Sequence, residues 1–425
     1  GMSEVSDAIV IAVSEETGGI SLAHDSVIKR NIDPKQLQQS IRKLMTINNK
    51  RRAEKEQEMK ERELMMQNHL KEAQLKFLQA QINPQQPIPA DKEIRQGVLP
   101  NGLTYYIRHN EKPKGLAEFY IVHDVGAIQE GDNQQGLAHF LEHMAFNGTK
   151  NYPDNKLREY LESIGVKFGA NLNAFTSWDL TQYFMTDVPI ARESVIDSAL
   201  LVLHDWSHFI TLDPKEIDSE RGVIKEELRT RYGAQWRSQI AMIKAIGKGT
   251  LYEDRNLIGY LDGLASFTYD DIREFYHKWY RPDYQTVVVV GDIDVDKVEQ
   301  KIKTIMADIP APAADAAKKD VIVVPDNDEP IVSVNADPEM QQSNLMIFYK
   351  SQAMPKEMNN TMTYELLNIV KSYISSVMSE RLSDISRKPN APFIHAGFSP
   401  AGSFGICPTL ESTMFSAVAH ENRID

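Results

Sequence analysis

The chain lacks the features that would place it among disulfide-stabilised or membrane-spanning proteins. It has one cysteine, Cys407, in 425 residues, which excludes an intramolecular disulfide framework. Its apolar runs, such as those at 9–13 and 287–290, are far shorter than the roughly 18 residues that a membrane helix needs. The first seven residues also lack the basic and apolar pattern of a secretory signal peptide. We therefore expect no membrane span and a cytoplasmic location for the chain as written.

An excess of basic charge is absent as well. The chain has 47 Lys and Arg against 60 Asp and Glu, which gives a net charge of −13. A nucleic-acid-binding protein normally presents a basic face, so we expect no nucleic-acid partner. The composition, 42% hydrophobic and 25% charged, is that of an ordinary soluble globular protein, and the length predicts about two to three domains.

The most informative pattern that is present is the His-Phe-Leu-Glu-His segment at residues 139–143. On an α-helix, residues i, i+3 and i+4 share one face, so His139, Glu142 and His143 would point into one small volume. Catalytic zinc sites use three protein ligands and keep a fourth position for water, whose pKa falls to about 7 on the metal. A histidine pair on an amphipathic helix is more often structural. Here the apolar flanks and the Asn-Gly-Thr helix stop at 147–149 favour a zinc site.

A third ligand has to come from elsewhere in the chain. Glu220 and Glu227 are seven residues apart, which places them two turns along one face of a predicted helix. We predict Glu227 as the third ligand, with Glu226 as the competing carboxylate. Glu142 cannot easily reach the same metal as its two histidine neighbours, so it is predicted to take a proton from the bound water as general base.

These segments together resemble the pitrilysin/insulinase-type zinc peptidases, which carry the inverted HxxEH signature. The resemblance runs from about Ile94 to Pro325. It follows the family's order of motifs in the segments 99–106, 136–149, 171–177, 220–227 and 275–292. The order of predicted helices and strands gives an α+β fold, a two-layer sandwich of helices on a mostly antiparallel sheet, followed by an incomplete second copy.

The resemblance implies a role for each residue of the predicted site. It implies a zinc cofactor with three protein ligands, His139, His143 and Glu227. Glu142 would activate water to attack a peptide carbonyl. The family's two helix carboxylates are seven residues apart, which selects Glu227 over Glu226. Glu220 would be the companion carboxylate that orients the ligands from the second sphere.

Residues 171–186 alternate polar with aromatic, Thr and Met residues, which predicts β-structure with a turn near 177–179. In the resembling family this edge strand adds an extended substrate to the sheet, so backbone hydrogen bonds supply affinity. The resemblance therefore implies that Asn173, Ala174 and Phe175 bind substrate. The alternative is an ordinary hairpin with Phe175 and Tyr183 in the core.

The rest of the chain divides into further segments. The segment 1–32 has an apolar run that ends at Val13 and a second segment that ends at Ala23, which predict two β-strands joined by a turn with the glycines Gly18 and Gly19. This segment resembles the closing portion of a diadenylate cyclase domain. That family's Asp-Gly-Ala and Arg-His-Arg motifs belong upstream and neither appears, so we infer a fragment without cyclase activity. Residues 33–93 are predicted as a charged linker that is helical to about residue 81. Residues 94–325 would form the zinc peptidase domain, ending in a strand near 321–324. Residues 326–425 resemble the start of the family's second, non-catalytic domain.

The sequence leaves three candidate functions. The ordered motifs favour a zinc-dependent endopeptidase acting on peptides or unfolded polypeptides. The alternative is a catalytically weak or inactive peptidase-fold subunit that needs a partner half, which four intact site residues argue against. A remnant nucleotide cyclase is the least favoured. Resembling peptidases close their chamber with a later half or a partner subunit, so we expect zinc binding with weak or absent turnover unless a partner half or homo-oligomer completes it. A natural full-length peptidase of this type could be periplasmic.

Overall fold

The computed structural model of the chain describes residues 10–13, 20–24, 27–29, 33–79, 85–403 and 405–420. The chain divides into two compact units, Gly1–Gln86 and Pro87–Asp425. In the described part, no helix has the length and hydropathy required to cross a bilayer.

The first unit contains a small sheet and one long helix. Strands β1 (Val10–Val13), β2 (Ile20–His24) and β3 (Val27–Lys29) pair antiparallel in that order, and helix α1 spans Pro34–Gln79. The two predicted strands of the N-terminal segment are therefore β1 and β2. The turn predicted between them, and most of the cyclase-like segment 1–32, lie outside the described residues.

The second unit is built on a six-stranded sheet. The strands follow the order β4-β5-β9-β6-β8-β7, and every neighbouring pair is antiparallel except β5 and β9. Their bounds are β4 (Ile94–Val98), β5 (Thr104–His109), β6 (Leu116–His123), β7 (Leu172–Thr176), β8 (Thr181–Pro189) and β9 (Gln285–Gly291). The β-structure predicted over 171–186 is thus two strands, β7 and β8.

The core lies on one face of this sheet. Along β6 and β9, buried residues alternate with partly exposed ones, as a period of two requires for a sheet covered on one side. Phe119, Ile121, Val287 and Val289 are fully buried beneath the helices. The α+β class, with helices on a mostly antiparallel sheet, is confirmed.

Nine helices of the second unit follow in chain order around this core in the described part. They are α2 (Leu137–Met144), α3 (Lys156–Ser163), α4 (Glu193–His208), α5 (Pro214–Arg231), α6 (Ala234–Ile246), α7 (Leu251–Asp254), α8 (Leu261–Ser266), α9 (Tyr269–Trp279) and α10 (Val295–Ile305). Local sequence sets several of their starts. Asp213 accepts a hydrogen bond from the Lys215 amide ahead of α5, with Pro214 as the first helical residue.

A second, three-stranded sheet follows. Strands β10 (Asn344–Gln352), β11 (Phe393–Ser403) and β12 (Leu410–Ala419) pair antiparallel in the order β10-β12-β11, and helix α11 (Met362–Ser386) packs on β11.

The strand predicted at 321–324 is wrong, since these residues are irregular in the structure. Their β-branched side chains favour extended backbone, but no neighbouring strand in the described residues pairs with them. Side chains satisfy their carbonyl groups instead. Thr409 Oγ1 donates to the Ile322 carbonyl at 2.7 Å, and Gln352 Nε2 donates to the Val324 carbonyl at 3.2 Å. Sequence propensity alone does not make a strand without a partner.

Candidate metal centre

Helix α2 carries the two histidines, and its first turn is fixed by a glycine and a buried carboxylate. Gly136 has φ +93°, and a Cβ there would lie 2.7 Å from the Ile258 carbonyl oxygen, so only glycine fits. The Glu130 carboxylate accepts hydrogen bonds from the amides of Gly136 at 2.9 Å and Ala138 at 2.8 Å. It therefore satisfies first-turn amides and places an acceptor at the positive end of the helix dipole.

The structure brings His139, His143 and Glu227 together. One ligand atom from each lies within 4.8 Å of the others. Glu227 Oε1 is 3.6 Å from His139 Nε2, and Glu227 Oε2 is 3.2 Å from His143 Nε2. A tetrahedral zinc with bonds of about 2.0–2.2 Å separates its ligand atoms by about 3.4 Å. The two distances between the carboxylate and the imidazoles are close to this separation, so the donor set is compatible with a zinc ion.

The contacts of the Glu227 carboxylate are compatible with this fit. Its Oε2 is buried and lies against His143 Nε2. The other oxygen, Oε1, is 2.8 Å from Arg231 Nη2. Two imidazoles and one carboxylate are a donor set that a divalent metal accepts.

Glu220 lies behind His143. Its Oε1 is 2.7 Å from His143 Nδ1, and its Oε2 accepts a hydrogen bond from Asn147 Nδ2 at 2.6 Å. This contact would fix the His143 tautomer with Nδ1–H donating, which leaves Nε2 on the side of Glu227. Glu220 thus contacts the ring nitrogen of His143 that faces away from Glu227, which is the position of a second-sphere partner.

The electrostatics follow from these contacts. Burial would lower the pKa of His143, but its hydrogen bonds to Glu220 and Glu227 outweigh burial and raise the pKa to about 9. Burial would raise the pKa of Glu227, but His139 and His143 hold it well below its usual value. A metal would take the place of that imidazole proton, so metal binding releases a proton here.

Glu142 is not a member of the ligand cluster. Its Oε2 accepts a hydrogen bond from Thr176 Oγ1 at 2.6 Å, which joins the end of β7 to helix α2. The carboxylate is thus oriented by a residue on the predicted substrate strand.

Asn173, Ala174 and Phe175 lie on β7, which is the outermost strand of the six-stranded sheet. Phe175 is 45% exposed, whereas Tyr183 is fully buried. The alternative with both aromatic rings in the core is therefore correct only for Tyr183. The exposed edge is the kind that can accept an added strand.

Sequence reasoning did not find Glu130, Asn147 or Thr176 as site residues. Thr176 and Asn147 lay inside segments that the resemblance marked, but their side-chain partners are distant in sequence. Glu130 precedes helix α2 by more residues than an ordinary helix cap, so no local capping pattern signals it.

Comparison with known proteins places the chain in a family. The model of the insulinase family, peptidase family M16, matches residues 106–257, and that of the peptidase M16 inactive domain matches residues 266–417.

The chain belongs to the insulinase family of peptidases. Neither match covers residues 1–32, so the cyclase resemblance gains no support and stays a prediction. The predicted domain boundaries also stay predictions.

Several of the relatives that match are named zinc proteases. A probable zinc protease PqqL of Escherichia coli is 32% identical over 337 residues, which cover 79% of this chain and 35% of that protein. A zinc protease PQQL-like of Arabidopsis thaliana is 32% identical over 312 residues, 73% of this chain and 32% of that protein. The chain thus spans about a third of the length of these curated relatives.

Solved structures agree with the fold. The crystal structure of the periplasmic protease PqqL from Escherichia coli superposes with a TM-score of 0.67 at 29% identity, over 79% of this chain and 36% of that one. Pitrilysin superposes with a TM-score of 0.61 at 19% identity, over 79% of this chain and 35% of that one. The pitrilysin-type α+β fold is therefore shown for this chain.

Proposed function

We propose that this protein is a zinc-dependent endopeptidase in which His139, His143 and Glu227 hold the metal. The convergence of one ligand atom from each of these three side chains within 4.8 Å carries the proposal. Membership of a family in which several matching relatives are named zinc proteases supports it.

Each side chain has a stated task in this proposal. Zinc, when bound, supplies Lewis acidity for the attack of water on a peptide carbonyl. Glu142 takes the proton of that water on its carboxylate and later returns it to the leaving amine. Thr176 Oγ1 holds Glu142 in position through the 2.6 Å hydrogen bond. Glu220 orients His143 from behind.

The substrate is an extended peptide or an unfolded polypeptide. It would lie along the outer edge of β7 at Asn173, Ala174 and Phe175, where the backbone groups that face away from β8 supply most of the affinity. A partner half or a second copy would complete the chamber and hold the substrate. The periplasmic location of the Escherichia coli relative supports a periplasmic location for the natural protein.

Metal analysis and a cleavage assay test this function together. We expect the purified chain to bind about one zinc per molecule, and any cleavage of an unfolded polypeptide to stop on chelation and return with zinc. Glu142→Gln should keep the zinc and abolish cleavage, whereas His139→Ala should lose both.

Two outcomes would contradict the proposal. A wild-type chain that binds no zinc would remove the metal assignment. Cleavage by Glu142→Gln at the wild-type rate would remove the general base. Strong cleavage by the isolated chain would retain the endopeptidase but refute the need for a partner half.

A further inference from the structure

The hydrogen-bond register of β7 shows which backbone groups face the open edge of the sheet. At one end the Asn171 carbonyl accepts from the Thr186 amide at 2.8 Å, and at the other the Ser177 amide donates to the Leu180 carbonyl at 2.8 Å. The register between these pairs has no shift. Hydrogen-bonded and non-hydrogen-bonded pairs alternate in antiparallel sheets, so the backbone groups of residues 172, 174 and 176 point away from β8.

Part of this edge is already occupied. The Leu172 amide donates to the Lys167 carbonyl at 3.1 Å, and its carbonyl accepts from the Gly169 amide at 2.9 Å. The Ala174 amide donates to Oδ1 of its neighbour Asn173 at 2.9 Å. The Ala174 carbonyl and both backbone groups of Thr176 have no hydrogen-bond partner in the described residues.

The open part of the edge therefore lies beside the predicted general base. The edge has three free backbone groups, and two of them belong to Thr176. The Thr176 hydroxyl donates a hydrogen bond to Glu142. A peptide that pairs here is held next to Glu142. A peptide that makes one more backbone hydrogen bond along this edge needs the Ala174 amide. That amide already donates to the Asn173 side chain.

We propose that Asn173 guards the substrate edge: its carboxamide oxygen caps the Ala174 amide in the free protein, and an extended peptide must displace it to pair fully. An exposed edge invites chance pairing with strands of other molecules, and an internal cap on its central donor lowers that tendency. The occupant is an extended peptide, which rests on the proposed function. The capping contact itself exists without a ligand and is tested separately.

Hydrogen exchange tests the cap directly. In Asn173→Ala, the Ala174 amide should exchange about threefold to tenfold faster than in the wild type, because one modest hydrogen bond is lost. Asn173→Asp keeps an oxygen at this place and should keep the amide protected. Asn171→Ala, directly before the same strand, serves as the matched control. An unchanged exchange rate at Ala174 in Asn173→Ala would overturn the proposal.

Peptide affinity tests whether the Asn173 side chain competes with a bound peptide for the Ala174 amide. The probe is a fluorescein-labelled extended peptide of Val, Ser and Thr residues, titrated in the Glu142→Gln background by fluorescence anisotropy. Adding Asn173→Ala should tighten binding about threefold to tenfold. Weaker binding would show that Asn173 contacts the peptide, and it would overturn the proposal that the peptide must displace this side chain. If no variant binds the peptide, the substrate edge of the proposed function fails, while the exchange result still decides whether the cap exists.

Discussion

Replacing Glu220 should weaken zinc binding although this carboxylate is not proposed to touch the metal. Its Oε1 lies 2.7 Å from His143 Nδ1, and its Oε2 accepts from Asn147 at 2.6 Å. A charged acceptor makes a hydrogen bond about twice as strong as a neutral one, and it raises the basicity of the ligating imidazole.

The size of the effect follows from how many contacts are lost. Glu220→Gln keeps a neutral oxygen, so we expect about a tenfold loss of zinc affinity. Glu220→Ala removes both contacts and leaves His143 Nδ1 and Asn147 Nδ2 without their acceptor, so we expect about a hundredfold loss. These factors correspond to about 1.4 and 2.7 kcal/mol of binding free energy.

Zinc affinity is best measured by competition with a chromogenic chelator, with the unfolding midpoint of the metal-free protein as a check on folding. Glu226→Gln is the matched control, because Glu226 lies on the same helix and its side chain pairs with the exposed Arg229. It should bind zinc as the wild type does. Equal affinities in wild type and Glu220→Ala, or zinc loss confined to Glu226→Gln, would refute the assignment.

Three further changes test other parts of the site. Gly136→Ala should lower the free energy of unfolding by about 2 kcal/mol or more and weaken zinc binding, because the left-handed backbone and the Ile258 carbonyl both exclude a Cβ. Gly169→Ala is the control, since Gly169 has φ +79° but open space around it. It should cost less unfolding free energy in denaturant titrations. Burial lowers the pKa of His123 to about 3, so the unfolded chain binds its proton below about pH 6.5 while the folded chain does not. Stability should therefore fall by up to about 1.4 kcal/mol per pH unit as pH drops from 6.5 toward 3, and His123→Phe should flatten this slope in thermal melts; an unchanged slope would show that other groups cause it. Thr176→Val should lower kcat several-fold with zinc content unchanged, whereas Thr176→Ser should stay close to wild type; equal losses would point to packing.

The sequence was sufficient for the parts of the fold that local pattern determines. The HxxEH helix and the seven-residue step between Glu220 and Glu227 are short-range periodicities, and helices α2 and α5 lie where those patterns predict them. The α+β class followed from the order of such elements. The role of each site residue stays a prediction, although the structure brings His139, His143 and Glu227 together.

What sequence could not supply depends on contacts between distant segments. The hydrogen bond from Thr176 to Glu142 and the capping of α2 by Glu130 exist only after β7 and the preceding loop pack against that helix. The wrong strand at 321–324 has the same origin, because strand formation requires a neighbour that propensity does not reveal.

The place of β9 in the sheet has a consequence for biosynthesis. This strand lies between β5 and β6, yet it follows them in the chain by more than 160 residues. While a ribosome extends the chain, β5 and β6 have emerged long before the strand that joins them, and the two halves of the sheet remain apart. Completion of the six-stranded sheet therefore waits for residue 291, and the late formation of such distant contacts slows folding and leaves strand edges exposed in the meantime.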